Sequence, residues 1–274
     1  MILSSLRRIP PLLAALVTAS ALGDEPIFNE MPRWSDGWGF QWVNEFRSES
    51  DLLEGETEIG PGFSEDIHIL HLEGVYTWHR SIRLTAKFPY VISAEREVLG
   101  PGGGKITQRD HGFGDATFAL PLKKYFNLDG RSGSWTFAPQ VRVPFARDDE
   151  YAVFDNQWGN GLSLGYATES FKYHFGASVT GWVFYGDDPD EAMFSIDAGR
   201  NVQAFGSSGH VKWETDLMYE ADGTLTLAAG PALYWRITDT VHGRVDWKHD
   251  FYDHQSGQDH GNGDTVRIGI GFVF

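Results

Sequence analysis

Cysteine is absent from the 274 residues. That excludes a disulfide framework, a thiolate nucleophile and any cysteine-ligated metal or cluster. Basic residues are scarce, because 22 Lys and Arg against 38 Asp and Glu leave a formal net charge of −16. A nucleic-acid binder needs a basic footprint to displace counterions, so that class of partner is set aside. Beyond the N-terminus no apolar run reaches the roughly 18 residues of a membrane-spanning helix. Gly is plentiful instead, at 32 residues, and aromatic side chains make up 14 %. Both are poor helix formers, and together they suit a β-rich chain.

The N-terminus has the order of an export signal. Arg7 and Arg8 precede an apolar core over 12–17, and Ala19, Ser20, Ala21 and Gly23 offer small residues for cleavage. The core is too short to span a bilayer. The division expected is a cleaved secretory signal over 1–23, a short periplasmic segment over 24–36, and one barrel domain over 37–274. The segment 24–36 shows no strand pattern and either enters the barrel as a small plug or hangs free.

From Trp38 onward the dominant period is two. Trp38, Phe40 and Trp42 share one face, against Gly39, Gln41 and Val43. Leu70, Leu72, Tyr76 and Trp78 oppose His71, Glu73 and Thr77, and the same alternation recurs to the end, where Val266, Ile268, Ile270, Phe272 and Phe274 oppose Arg267, Gly269 and Gly271. About twelve such strands fit the even number of a closed antiparallel barrel with both termini on one side. Connections are expected to alternate, long at 48–66, 94–112, 146–157 and 252–263, and tight at 79–81, 168–170 and 237–239. The turn at 126–133 reads as longer than ideal for its side.

Alternation alone does not say which face is buried. Charges fall on the less apolar face of nearly every strand, an expensive lining for lipid and a natural one for a wet lumen. Large rings gather at the short-turn end of the apolar face, at Trp78, Trp135, Tyr166, Tyr173 and Trp235, as an interfacial girdle would. The fold expected is all-β, a single antiparallel transmembrane β-barrel in a bacterial outer membrane. Its inward positions then carry Arg83, Lys87, Asp115, Arg142, Asp197, Glu214, Asp216, Arg244, Asp246 and Arg267. These either select solutes along a hydrated path or pair across strands and fill the lumen. Tyr234, Trp182 and Phe184 on inward positions favour some constriction. The solute itself is not legible, and no cofactor is implied.

The terminal run ending in Phe272 and Phe274 resembles the C-terminal signature by which Gram-negative barrels are recognised by the barrel-assembly machinery. The stretch Gly112-Phe113-Gly114-Asp115-Ala116-Thr117, with Lys123-Lys124-Tyr125-Phe126 closing its strand, is similar to a motif of the outer-membrane transporter family associated with meta-pathway phenol degradation. That resemblance implies an outer-membrane channel or transporter, for small aromatic or apolar compounds, seated in outer-membrane lipid and lipopolysaccharide.

Other chemistries find weaker support. His249, His254 and His260 with Asp250, Asp253 and Asp259 invite a metal site, but the surrounding Gly, Gln and Ser read as a solvated loop. The acidic runs Glu54, Glu56, Glu58 and Asp187, Asp188, Asp190, Glu191 either bridge to lipopolysaccharide through divalent ions or form a solvated surface. The glycines at 100–104 lack the Lys-Ser/Thr pair and helix start of a phosphate cradle and read as a loop tip. A lipid hydrolase would need an outward Ser beside a His, and none is evident near Asn44 or His249. A structural or adhesive barrel without transport remains the alternative to a channel.

Overall fold

The computed structural model describes residues 37–100, 103–128, 130–147, 152–154, 156–186, 189–204 and 207–274. The expected signal and the segment 24–36 lie outside the described residues, as do Asp187 and Asp188. The strands are β1 (Gly37–Gly55), β2 (Thr57–His79), β3 (Ile82–Leu99), β4 (Lys105–Phe113), β5 (Ala116–Ala119), β6 (Leu122–Leu128), β7 (Arg131–Val143), β8 (Gly159–Ser170), β9 (Tyr173–Phe184), β10 (Glu191–Ala204), β11 (Ser207–Glu220), β12 (Leu225–Arg236), β13 (Val241–Gly261) and β14 (Asp264–Val273). Each strand pairs antiparallel with its neighbours, and β1 pairs with β14 to close the sheet. Segments β4, β5 and β6 share one wall position, so the barrel has 12 strands.

That shared wall is broken by its sequence. Pro121 has no N–H to give to a ladder, and β5 ends just before it. The pairing bridges the gap through Leu120 N to Pro139 O (3.0 Å) and Arg83 N to Pro121 O (3.1 Å). The chain breaks again at Gly114 and Asp115, which separate β4 from β5.

The apolar face points outward. Trp38, Trp42, Phe46, Leu72, Trp78, Leu84, Trp135, Leu162, Phe175, Trp213, Leu233, Val245 and Ile268 are all exposed on the outside, while Gln41, Glu45, Glu73, Arg83, Glu214 and Asp246 are buried within. In water that arrangement would be inverted. In hydrocarbon it is the stable one, since closure leaves no strand edge unpaired and the polar side chains share an enclosed interior. The terminal aromatics help to seal the closing seam. Phe272 stacks on Phe40 at 5.0 Å and Phe274 on Trp38 at 4.6 Å, with Phe274 N donating to Trp38 O at 2.8 Å.

Several expected long connections are strand instead. β1 and β2 run on to a tip at Glu56, β3 and β4 flank only 100–104, and β13 continues through 252–261. Beyond the apolar band the outward face meets water instead of lipid, and exposed positions such as Ser48, Ser50 and Glu54 are polar, so alternation loses its contrast and the sequence resembles a loop. The ladder persists because β1 also pairs with β13 there, from Asp51 opposite Gly261 to Gly55 opposite Gln255. On the terminus side the connection after β6 is short, with Leu128 pairing directly with Arg131.

Candidate functional site: the lumen and its mouth

The interior divides into two unlike halves. Along β9 to β14 and β1 to β3 the inward residues interlock as ions. Glu45 receives Arg47 Nε (2.6 Å), Arg267 Nε (2.9 Å) and His71 Nε2 (3.2 Å). Glu73 takes Lys87 Nζ at 3.6 Å and the Gln41 side-chain amide. Lys212 lies between Asp197 (3.1 Å) and Glu214 (3.6 Å), and Lys248 between Glu214 (3.3 Å) and Asp216 (2.6 Å). His174 Nε2 reaches Asp197 at 2.7 Å, and Arg244 holds Asp246 at 2.6 Å. Tyr234 donates to Glu214 at 2.8 Å, with Lys212 and Arg244 over its ring. Every carboxylate in this wall is matched to a cation, as a low-dielectric interior demands.

The opposite half, on β6 to β9, is lined by Ser134, Thr136, Ser163, Gly165, Gly176 and Ser178. These small side chains leave a cavity of about 380 Å3 that reaches the turns of the terminus side at Arg80, Asn127 and Glu169. Arg83, Lys123 and Tyr125 form its floor, and Tyr125 accepts from Arg83 at 3.4 Å. On the far side, Arg142 stacks on Phe184 (4.5 Å) and Trp182 (5.2 Å). Those rings lie flat on the wall because Gly159 and Gly161 have no Cβ to hold them off.

Of the ten residues read as lumen-lining, Asp197, Glu214, Asp216, Arg244, Asp246 and Arg267 fall in the ionic wall, with Lys87 at its margin. Arg83 belongs to the cavity and Arg142 to the ring shelf. Asp115 departs from the expected ladder. It lies between β4 and β5, and its carboxylate accepts backbone N–H groups of Phe145 (3.0 Å), Ala146 (3.0 Å) and Gln157 (3.2 Å) from the β7–β8 connection. A neighbouring carboxylate, Asp110, accepts from Val153 at 2.9 Å.

The sequence reading passed over an apolar pad inside the mouth. Ile67, Ile69, Val91 and Ala94 are buried together, with Val153 and Phe154 of the same connection packed against them. The clue was present: Ile67 and Ile69 are in phase with His71 and Glu73, hence inward. Glu45, the centre of the closing-seam cluster, was also missed, though it is in phase with Gln41 and Val43.

Above the pad the tall strands curl over. Arg96 of β3 reaches Asp259 of β13 at 3.7 Å and also pairs with Glu65, while His260 Nε2 lies 3.0 Å from Glu97 O. The suggested histidine metal site does not assemble. His249 pairs with Asp264, His254 faces Glu56 at 3.8 Å, and His260 is buried in the curl. Among the described residues no cluster of three or more His, Asp or Glu converges on a metal position.

No protein-family model matches the chain, and no curated protein does. Solved structures do. An outer membrane channel from Pseudomonas putida F1 superposes with a TM-score of 0.67 at 13 % identity, covering 89 % of this chain and 97 % of that one. The translocator domain of autotransporter NalP from Neisseria meningitidis gives 0.50 at 7 % identity, covering 90 % and 92 %. At such low identity the likeness speaks to architecture: this chain has the fold of the outer-membrane β-barrels.

Proposed function

We propose that this chain is an outer-membrane channel for the passive passage of small solutes, with small aromatic or apolar compounds as its cargo. The carrying observation is the cavity of about 380 Å3 within a barrel whose outside is apolar. Small-residue walls on β6 to β9 supply the path, and the ionic wall opposite keeps the barrel rigid around it. The choice of cargo is supported by the pad of Ile67, Ile69, Val91 and Ala94, an apolar landing in an otherwise charged interior. It agrees with the resemblance to the phenol-degradation transporters. Short turns on the terminus side make that side periplasmic, and the tall strands face outward from the cell.

One observation favours the rival reading of a non-transporting barrel, namely the chain of ion pairs running from His174 to Lys248. Purified protein in liposomes decides between them. A channel swells liposomes with small neutral solutes and passes current in planar bilayers, whereas a filled barrel matches protein-free liposomes. Compounds that co-purify in the lumen, identified by mass spectrometry, test the proposed cargo.

Conduction should also depend on pH. Glu49 lies just beyond Phe46 and faces Arg47, Glu65, Asp250 and Asp259, and burial followed by the Glu65 and Asp259 charges pushes it up to about 8. Burial and then Asp253 push Asp250 up to about 6. Both acids therefore ionise late, and the mouth gains negative charge as pH rises between about 5 and 9. Cation preference, read as the reversal potential across a salt gradient, should grow over that window. Glu49→Gln should remove the upper step. A reversal potential flat with pH in the parent protein would refute the assignment.

A further inference from the structure

We infer that the basic floor of the cavity binds the carboxylate of a small organic acid, with the Lys123 ammonium as the contact and the buried Arg83 guanidinium behind it. The inference rests on the channel reading above and narrows its cargo to an aromatic acid. It begins at the break in the wall. β3 and β6 meet through one residue pair, Ile82 opposite Leu122, and both side chains are exposed on the apolar outside. On either side of that pair Arg83 N donates to Pro121 O at 3.1 Å and Lys123 N to Ser81 O at 2.8 Å. These bonds fix the register, and the alternation of strand side chains then turns Arg83 and Lys123 inward together.

The charge balance here differs from that of the ionic wall. Among the residues lining the cavity, Arg80, Arg83, Lys123 and Lys212 stand against the carboxylates of Glu169 and Asp197. Asp197 already engages Lys212 and His174, and Glu169 accepts from Asn201 at 2.8 Å. Arg83 and Lys123 lie close enough for their charges to repel. Two cations sharing a shielded floor are costly, and an anion in the cavity offsets that cost. Arg83 is only 1 % exposed, so it supplies field rather than contact. Tyr125 positions it, accepting from Arg83 while donating to Arg80 O at 2.9 Å. Lys123 is half-buried and lines the cavity, where a carboxylate gains a charge-assisted hydrogen bond. The small residues Ser134, Ser163, Gly165 and Gly176 leave room above for the rest of the solute.

Calorimetric titration of the folded barrel in detergent with sodium benzoate tests the site without calling on conduction. Benzoate should bind, and its neutral counterpart benzyl alcohol should bind about tenfold more weakly, as loss of one charge-assisted bond implies. Lys123→Met should weaken benzoate by about tenfold and leave benzyl alcohol unmoved, whereas Lys123→Arg keeps the cation and most of the affinity. Lys124→Met deletes the same charge one residue on, from the outer face beside Trp135, and should bind benzoate as the parent does. Heat-modifiable gel mobility verifies that each variant is a folded barrel. No benzoate binding in the parent, or equal binding in parent and Lys123→Met, overturns the site. Inorganic phosphate binding as tightly as benzoate overturns the choice of an organic acid. Liposome assays separate the site from the channel reading. If benzoate binds through Lys123 while neither benzoate nor neutral solutes cross, the site is upheld and the channel falls. If neutral solutes cross and benzoate does not bind, the channel is upheld and the site falls.

Discussion

Glu45→Ala should cost the barrel about 3 kcal/mol, near the lower end for stripping one partner from a buried ionic cluster, because Arg47 stays half-exposed to the wet lumen. Three basic groups converge on this carboxylate, and Arg267 comes from the strand opposite, with Glu45 and Arg267 directly paired across the closing seam. Without Glu45 the two guanidinium groups face each other where β1 meets β14. The temperature at which the compact barrel converts to the unfolded band on gels should fall clearly. Glu45→Gln, which keeps the shape and one acceptor oxygen, should fall less. An unaltered transition in Glu45→Ala would mean that the seam is held by backbone and aromatics alone.

Ser178→Trp should reduce conductance by about tenfold, because an indole ring in a cavity of about 380 Å3 leaves little room for hydrated ions. Its neighbour provides the control. Ala177→Trp points the same ring at lipid, since successive strand side chains face opposite sides, and conductance should stay at the parent level. The pair separates a path along β6 to β9 from one elsewhere in the lumen. Equal conductance in both variants would place the route against the ionic wall instead.

The wall of this molecule was legible and its upper storey was not. Trp38, Phe40 and Trp42 set against Gln41 and Val43 reveal a strand because lipid and lumen are such different solvents. Ser48, Glu49, Ser50 and Asp51 are polar whichever way they point, so nothing in their order distinguishes strand from loop, though β1 runs through them to Gly55. The inward charges could be named one at a time, but their partners could not. Lys212 meets Asp197 from a neighbouring strand, a pairing that depends on register. Asp115 has the signature of an inward ladder residue, and its actual partners are backbone groups some thirty residues on, which carry no side-chain signal. Phe154 follows Ala152 and Val153 in an otherwise acidic connection and shows no alternation.

The tall hairpin of β1 and β2 has a use of its own. From Phe46 to Gly55 the strand continues for about 30 Å at the rise of an extended chain, braced laterally by β13. Its tip is a single residue, Glu56, between two paired strands. A peptide spliced in at that residue would start from the end of a braced ladder rather than from a slack loop, which suits the tip to carrying a foreign insert without disturbing the wall below.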